Sequence, residues 1–371
     1  MVGAGPPVHM RVPSVAPGGH AGRVRALPCR AMALGIDGLA VGCWTHPTHP
    51  TGCTVLLPPA GTVGGAAVRG GAPGSRETPA LRPEGSVQQC TAIVLTGGSA
   101  FGLATADGVM RWCEAQGRGL VLPTVTVPIV GAAVVFDLRT AGQPRPDADA
   151  GWAACEAASE ADPPMGSVGV GAGCSVGKTA GRDHASKGGQ GWAVVRHESG
   201  LVVSALMAVN PVGDVLDESG RILAGDRAPA EAPRFPWVSM EQVGSWGADS
   251  LASAETAPGA GAGGAAGSGA AGISNTVIGC VVTNARMTKG AACRAADLCH
   301  SGIARSVTPA HTSADGDLLF LLATGVVEAS LDLVAHLGAD AVAAAVRAAV
   351  RHAEGIEGLP ADPRAQRPAS S

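Results

Sequence analysis

Ile273-Ser274-Asn275-Thr276-Val277-Ile278-Gly279-Cys280-Val281-Val282 follows a Gly/Ala-rich run that extends from Ala257 to Gly272. From Thr276 to Thr283 nearly every residue is apolar or β-branched, the pattern of a strand buried on both faces. Downstream the sequence predicts a helix from about Thr288 to Arg305 and a second apolar strand from Leu318 to Thr324. If the two strands are parallel neighbours joined by the crossover helix, both begin on the same edge of one sheet. A long Ala-rich helix from about Glu328 to Glu354 completes this part of the chain.

Upstream, strands are predicted at Thr91–Thr96, Val125–Phe136, Trp192–Val195 and Leu201–Val209, with a helix from about Ala100 to Ala115. This mixture favours sheets covered by helices, an α/β (α+β) fold, over an all-helical or all-β protein. At 371 residues the chain can bury a large core, and one body with frayed ends accounts for the pattern. Residues 1–30 are expected to be a disordered extension, 252–272 a flexible tether within the domain, and 358–371 a disordered tail.

Composition narrows the partners. The net charge is −4, basic residues are scattered and the chain has no Tyr, so a phosphate-tracking or base-stacking surface for nucleic acid is not expected. Residues 1–30 lack the apolar core of a signal peptide, and no sequence run reads as a membrane span, so a cytoplasmic location is expected. The ten cysteines then read as thiols rather than a disulfide framework. Cys43, His46, His49 and Cys53 offer four zinc-ligand types in one short segment. Their pairs are too closely spaced for an ordinary structural zinc site, and no metal or organic cofactor is expected.

The chemistry of interest lies at Asn275-Thr276. A Thr hydroxyl is a weak nucleophile until a base takes its proton, and an α-amine on the same residue is close enough to do so. Cutting the peptide bond before Thr276 would expose that amine, and the same hydroxyl attacking the Asn275 carbonyl would make the cut. Adjacent strands lie about 4.8 Å apart, so Asp315-Gly316-Asp317 at the head of the next strand would bring two carboxylates near Thr276. Asp-Gly is also a strong turn signal, and on these residues alone a plain turn is the commoner meaning.

Two other motifs compete. Ala172-Gly173-Cys174-Ser175-Val176-Gly177-Lys178-Thr179 resembles a phosphate-binding P-loop using Lys178 and Thr179. Glycines at 181, 188, 189 and 191 disfavour the helix that such a loop must open. Ser99, in Gly97-Gly98-Ser99-Ala100-Phe101-Gly102, sits between a strand and a helix but misses the nucleophile-elbow spacing and reads as a helix cap. His300 and His311 read as structural.

Taken in order, Thr51 to Val55, Val68 to Gly74, Ile93 to Leu103, Gly166 to Lys178, Val209 to Asp214, Asn275 to Ile278 and His311 to Asp317 resemble the L-aminopeptidase/D-esterase family. That family includes β-aminopeptidases and nylon-oligomer hydrolases, and the resemblance runs from about Leu34 to Gly355. It implies a four-layer αββα sandwich, self-cleavage between Asn275 and Thr276, and a homo-oligomer of cleaved large and small subunits, residues 31–275 and 276–371. It makes Thr276 the nucleophile, Asn210 and Lys178 the oxyanion stabilisers, and Asp315 and Asp317 the orienting acids. The acid pair matches the nylon-oligomer hydrolase branch, where aminopeptidases have Ser and Glu. Phe136 falls where some members carry a substrate-contacting Tyr. The implied substrates are small peptides, amino-acid amides or esters, or ω-amino-acid oligomers. An uncleaved, non-catalytic scaffold of the same fold is the remaining alternative.

Overall fold

The computed structural model describes residues 32–232 and 275–366. Ten strands make two five-stranded sheets: β1 (Ala40–Thr45), β2 (Gly52–Leu57), β3 (Val63–Val68), β4 (Ser75–Arg76), β5 (Ala92–Thr96), β6 (Val130–Val134), β7 (Gly189–Arg196), β8 (Val202–Asn210), β9 (Thr276–Ala285) and β10 (Leu318–Val327). The first sheet runs β1-β2-β5-β6-β4 and the second β7-β8-β9-β10-β3. Both sheets share one direction pattern, antiparallel, antiparallel, parallel, antiparallel, with parallel pairs β5/β6 and β9/β10. The crossover expected between Thr276 and Thr324 is therefore present, with Ile278 level with Leu318.

Among the described residues four α-helices cover the sheets: α1 (Thr105–Ala115), α2 (Ala148–Glu156), α3 (Lys289–Ser306) and α4 (Leu331–Arg351). Asp147, Thr288 and Ser330 cap α2, α3 and α4 by accepting the N–H of Ala150, Ala291 and Leu333, which satisfies donors that a helix start leaves unpaired.

Alternation along the strands builds three apolar layers. Ile278, Cys280 and Val282 of β9, with Leu318, Phe320 and Leu322 of β10, pack in the layer that holds Leu56, Ile93 and Leu95 of the first sheet. The opposite faces, Val277, Val281, Leu319 and Leu321, pack with Ala292, Ala296, Ile303, Val342 and Val346 of α3 and α4. Val55, Val94 and Ala132 meet Ala106, Val109 and Ala154 of α1 and α2. Three cores between four layers form the αββα sandwich that the resemblance implied.

Several local expectations change. The Ala100–Ala115 helix begins as a 3-10 turn, Ser99–Ala104. Ser99 does not cap it; left-handed Gly98 occupies that place and makes no side-chain bond. Val125–Phe136 divides into Thr126–Val127 and Val130–Val134 on either side of Pro128, which cannot donate to a ladder. The disordered tail expected from residue 358 gives way as far as Gln366. Leu359 is 1% exposed, and Asp362, 2% exposed, accepts from the Gly225 N–H and pairs with Arg364. The extension at 1–30 and the tether at 252–272 lie outside the described residues. Among the described residues one helix, α4, is long and apolar enough to cross a membrane, and its apolar positions pack in the core under the second sheet.

Candidate active site

Strand pairing gathers the site at one edge of the second sheet. The antiparallel ladder places Asn210, the last residue of β8, opposite Thr276, the first residue of β9. The parallel partner carries Asp315 alongside Asn275. The Thr276 hydroxyl donates to the Asn275 carbonyl, and the Gly316 N–H donates to the same oxygen at 3.0 Å. The hydroxyl thus rests on the carbonyl it would attack, with a second donor already on the oxygen that would become negative. Thr276 is buried, 6% exposed.

Both carboxylates lie beside this bond, and neither bonds to the Thr276 hydroxyl. Asp317 accepts the Val277 N–H at 2.7 Å on Oδ1; its Oδ2 accepts the His311 N–H at 3.1 Å and meets His311 Nδ1 at 2.7 Å. Asp315 Oδ2 accepts the Thr312 N–H at 2.8 Å and the Thr312 hydroxyl at 2.7 Å. Its Oδ1 is buried and has no hydrogen-bond partner among the described residues. Burial, reinforced by the neighbouring Asp317 charge, pushes the Asp315 carboxyl above its ordinary range. Burial alone would lower the His311 imidazole, but its bond to Asp317 outweighs that and raises it.

The Val68–Gly74 motif finds its purpose here. The N–H groups of Arg69 and Gly70 donate to the Asp317 carbonyl and that of Ala72 to the Asp315 carbonyl. A Cβ on Gly70 would lie 2.2 Å from the Asp315 oxygen and 2.3 Å from the Asp317 nitrogen, so only glycine lets this strap close over the acid pair.

On the other flank, Lys178 Nζ donates to the Asn210 carbonyl at 2.9 Å and to its side-chain Oδ1 at 3.1 Å. The Ser175 N–H and hydroxyl also donate to Oδ1, while Asn210 Nδ2 donates to the Phe136 carbonyl at 3.1 Å. These bonds fix the amide plane opposite Thr276. Although part of its side chain reaches solvent, burial among protein atoms brings the Lys178 ammonium down to about 7; the Asp315 carboxylate works in the other direction. Asp137, next to Phe136, accepts the Gly98 N–H at 2.7 Å and ties the Gly97-Gly98-Ser99 turn to the same wall.

The structure removes the P-loop alternative. The Gly177 and Lys178 N–H groups donate to the Gly213 and Val212 carbonyls, Thr179 bonds to Asp226, and only a 3-10 turn at Arg182–His184 follows. No N–H cradle faces a phosphate. The zinc grouping also separates: Cys53 is buried against the Ala150 carbonyl of α2, while Cys43 turns to Thr54 and Gln190. The His46 Nδ1 already accepts the Thr48 and His49 N–H groups.

Sequence reasoning named Thr276, Asn275, Lys178, Asn210, Asp315 and Asp317, and the structure places them at one end of the second sheet. It placed Phe136 nearby as a ring for substrate, whereas the direct link to Asn210 is its backbone carbonyl. It missed Gly316 as a donor and His311, Thr312 and Ser175 as the groups that hold the site side chains. His311-Thr312 lies only a few residues before Asp315, and that spacing was the available signal.

A hydroxyl, a carbonyl held by a second donor, a buried acid pair and a half-buried lysine thus gather at one end of the inner strands of this double-sheet sandwich. The fold resembles the L-aminopeptidase D-Ala-esterase/amidase of Ochrobactrum anthropi, a structure described as a new variant of the N-terminal-nucleophile (Ntn) hydrolase fold, with a TM-score of 0.60 at 17% identity over 90% of this chain and 91% of that one. The chain belongs to peptidase family S58, which it matches over residues 34–362; it is a hydrolase. An uncharacterised aminopeptidase of Mycobacterium leprae is 40% identical over 332 residues, covering 83% of this chain and 84% of that protein. A 6-aminohexanoate-oligomer endohydrolase of a Kocuria species is 29% identical over 314 residues, covering 82% of this chain and 78% of that protein.

Proposed function

We propose that this chain is a self-cleaving amidohydrolase of the aminopeptidase type, with Thr276 as its nucleophile. The observation that carries the reading is the Thr276 hydroxyl resting on the Asn275 carbonyl, whose oxygen also accepts the Gly316 N–H. In the first step Thr276 Oγ bonds to the Asn275 carbonyl carbon and its proton passes to the Thr276 nitrogen as the C–N bond breaks. Water then hydrolyses the resulting ester, giving an Asn275 carboxylate and a free Thr276 amine.

In turnover that amine takes the hydroxyl proton as Oγ attacks a substrate amide or ester, and the leaving group departs protonated. Water resolves the acyl-enzyme. Gly316 N–H and Lys178 stabilise the oxyanion in this scheme, and a single such donor is worth about 3 kcal/mol. Asn210 holds Lys178 in place and presents its amide beside the reacting carbon. Asp317 fixes the first residues of β9 through Val277, and Asp315 steadies the new ammonium. The substrates are short peptides, amino-acid amides or esters, or ω-amino-acid oligomers; the relatives named as an aminopeptidase and a 6-aminohexanoate-oligomer endohydrolase support that range.

Intact mass after purification tests the reading. The expected products end at Asn275 and begin at Thr276, and Thr276→Ala leaves one uncut chain. A native protein that stays at full-length mass and is inert toward amides and esters sinks the mechanism and leaves the non-catalytic scaffold.

A further inference from the structure

Two arginines that the self-cleavage scheme does not use, Arg182 and Arg139, lie within electrostatic reach of Lys178. The Arg182 guanidinium carbon sits 5.4 Å from the centre of the Phe136 ring, the residue whose carbonyl holds the Asn210 amide opposite Thr276. Arg182 is exposed and joins no ion pair among the described residues. Arg139 lies near it: burial, then the Arg182 charge, lowers the Arg139 pKa, and both arginines act on Lys178 in the same direction. Arg139 donates to the Gly358 carbonyl at 3.2 Å and likewise makes no ion pair, although Glu357 lines the same cleft.

Like charges gathered on one wall destabilise each other unless an anion joins them. Among the described residues no carboxylate pairs with either arginine, and the Phe136 ring seats the Arg182 head by a cation–π contact. We propose that Arg182, with Arg139 behind it, forms a subsite for the free carboxylate of a short substrate whose scissile bond is attacked by Thr276. This rests on the Thr276 reading and narrows it to substrates that end in a carboxylate. A planar guanidinium takes a carboxylate through two parallel hydrogen bonds, and arginine keeps its charge at every working pH, unlike Lys178.

The test uses the processed enzyme, Arg182→Gln and Arg139→Gln, with trialanine and the linear dimer of 6-aminohexanoate, each against its C-terminal amide. The native enzyme is expected to favour the acid of a pair at least tenfold in kcat/KM. Arg182→Gln is expected to lose that preference through KM, with the acid falling about tenfold and the amide by no more than twofold; Arg139→Gln should lower the acid less. An active, cleaved enzyme indifferent to the carboxylate, or one in which Arg182→Gln lowers acid and amide alike, overturns the subsite and leaves the nucleophile standing. A chain that stays uncut and hydrolyses neither form overturns the Thr276 reading and the subsite with it.

Discussion

The backbone N–H of Gly316 donates to the carbonyl oxygen of Asn275 at 3.0 Å, across the parallel pair that joins β9 to β10. The same glycine leaves room for the nucleophile, because a Cβ there would lie 2.9 Å from Thr276 Oγ and 2.9 Å from the Ala72 carbonyl. The backbone carbonyl cannot yield easily, so the hydroxyl must. Gly316→Ala is therefore expected to slow self-cleavage at least tenfold while the protein still folds. Following intact mass after a burst of synthesis measures this, and cleavage at the native rate would show that the Gly316 contact does not constrain the attack.

Asp317 joins two parts of the site, the Val277 N–H and the His311 ring. Because the folded His311 pKa is raised, the stability its charge contributes is fully present below the unfolded value of 6.5 and is lost as pH rises through the folded value. In the uncut Thr276→Ala background, His311→Gln is expected to cost about 1.5–3 kcal/mol below pH 6.5, the range of a hydrogen bond to a charged group, and less once the pH has passed through the raised folded value. Urea titrations at one pH below 6.5 and one above the folded value measure the difference. An equal cost at both would mean that the pair carries no charge-dependent stability.

The position of Asp315 and Asp317 was legible from the apolar run that follows them, at the head of a parallel neighbour of β9, but on these residues alone they read as a plain turn, and only the resemblance made them acids of the site. Edge strand β3 was not legible. Val63-Gly64-Gly65-Ala66-Ala67-Val68 has the composition of a loop, yet it pairs with β10 from Val63 to Val68. The reason is packing: a Cβ on Gly65 would lie 2.7 Å from the Cys293 nitrogen of α3, so the helix selects glycine where strand propensity would select a larger residue. The bond from His311 to Asp317 was hidden for a different reason, since it depends on a backbone with φ +57 at His311, which composition does not announce.

Lys178 gives a pH signature. Its ammonium, lowered by burial to about 7, is charged below that pH and neutral above it. If the cation stabilises the oxyanion, kcat/KM falls as pH rises through about 7. Lys178→Met is expected to remove that limb and to lower the acid-side rate by about a hundredfold, the effect of deleting one oxyanion donor. For stability the direction reverses. A lowered lysine contributes stability that is present above its unfolded value of 10.5 and is lost as pH falls through about 7, so Lys178→Met flattens the stability profile there. An unchanged pH–rate limb in the variant would assign it to another group.

The helical layer over the second sheet depends on small residues where α3 crosses α4. A Cβ on Gly302 would lie 2.3 Å from the Ala339 carbonyl oxygen and 2.8 Å from the Val342 Cβ, so the two helix backbones approach as closely as glycine permits. In an open helix, Gly→Ala stabilises by up to about 1 kcal/mol. Here the added methyl meets backbone, and forcing an extra carbon into a packed interface costs about 1–3 kcal/mol. Gly302→Ala is expected to destabilise on balance, whereas Gly290→Ala, in the first turn of α3 with nothing within 4 Å of its Cβ, is expected to be neutral or stabilising. Urea denaturation of both variants in the Thr276→Ala background separates helix propensity from contact. Equal stabilisation by the two would mean that α4 moves away at no cost and that the close crossing does not hold the layer in place.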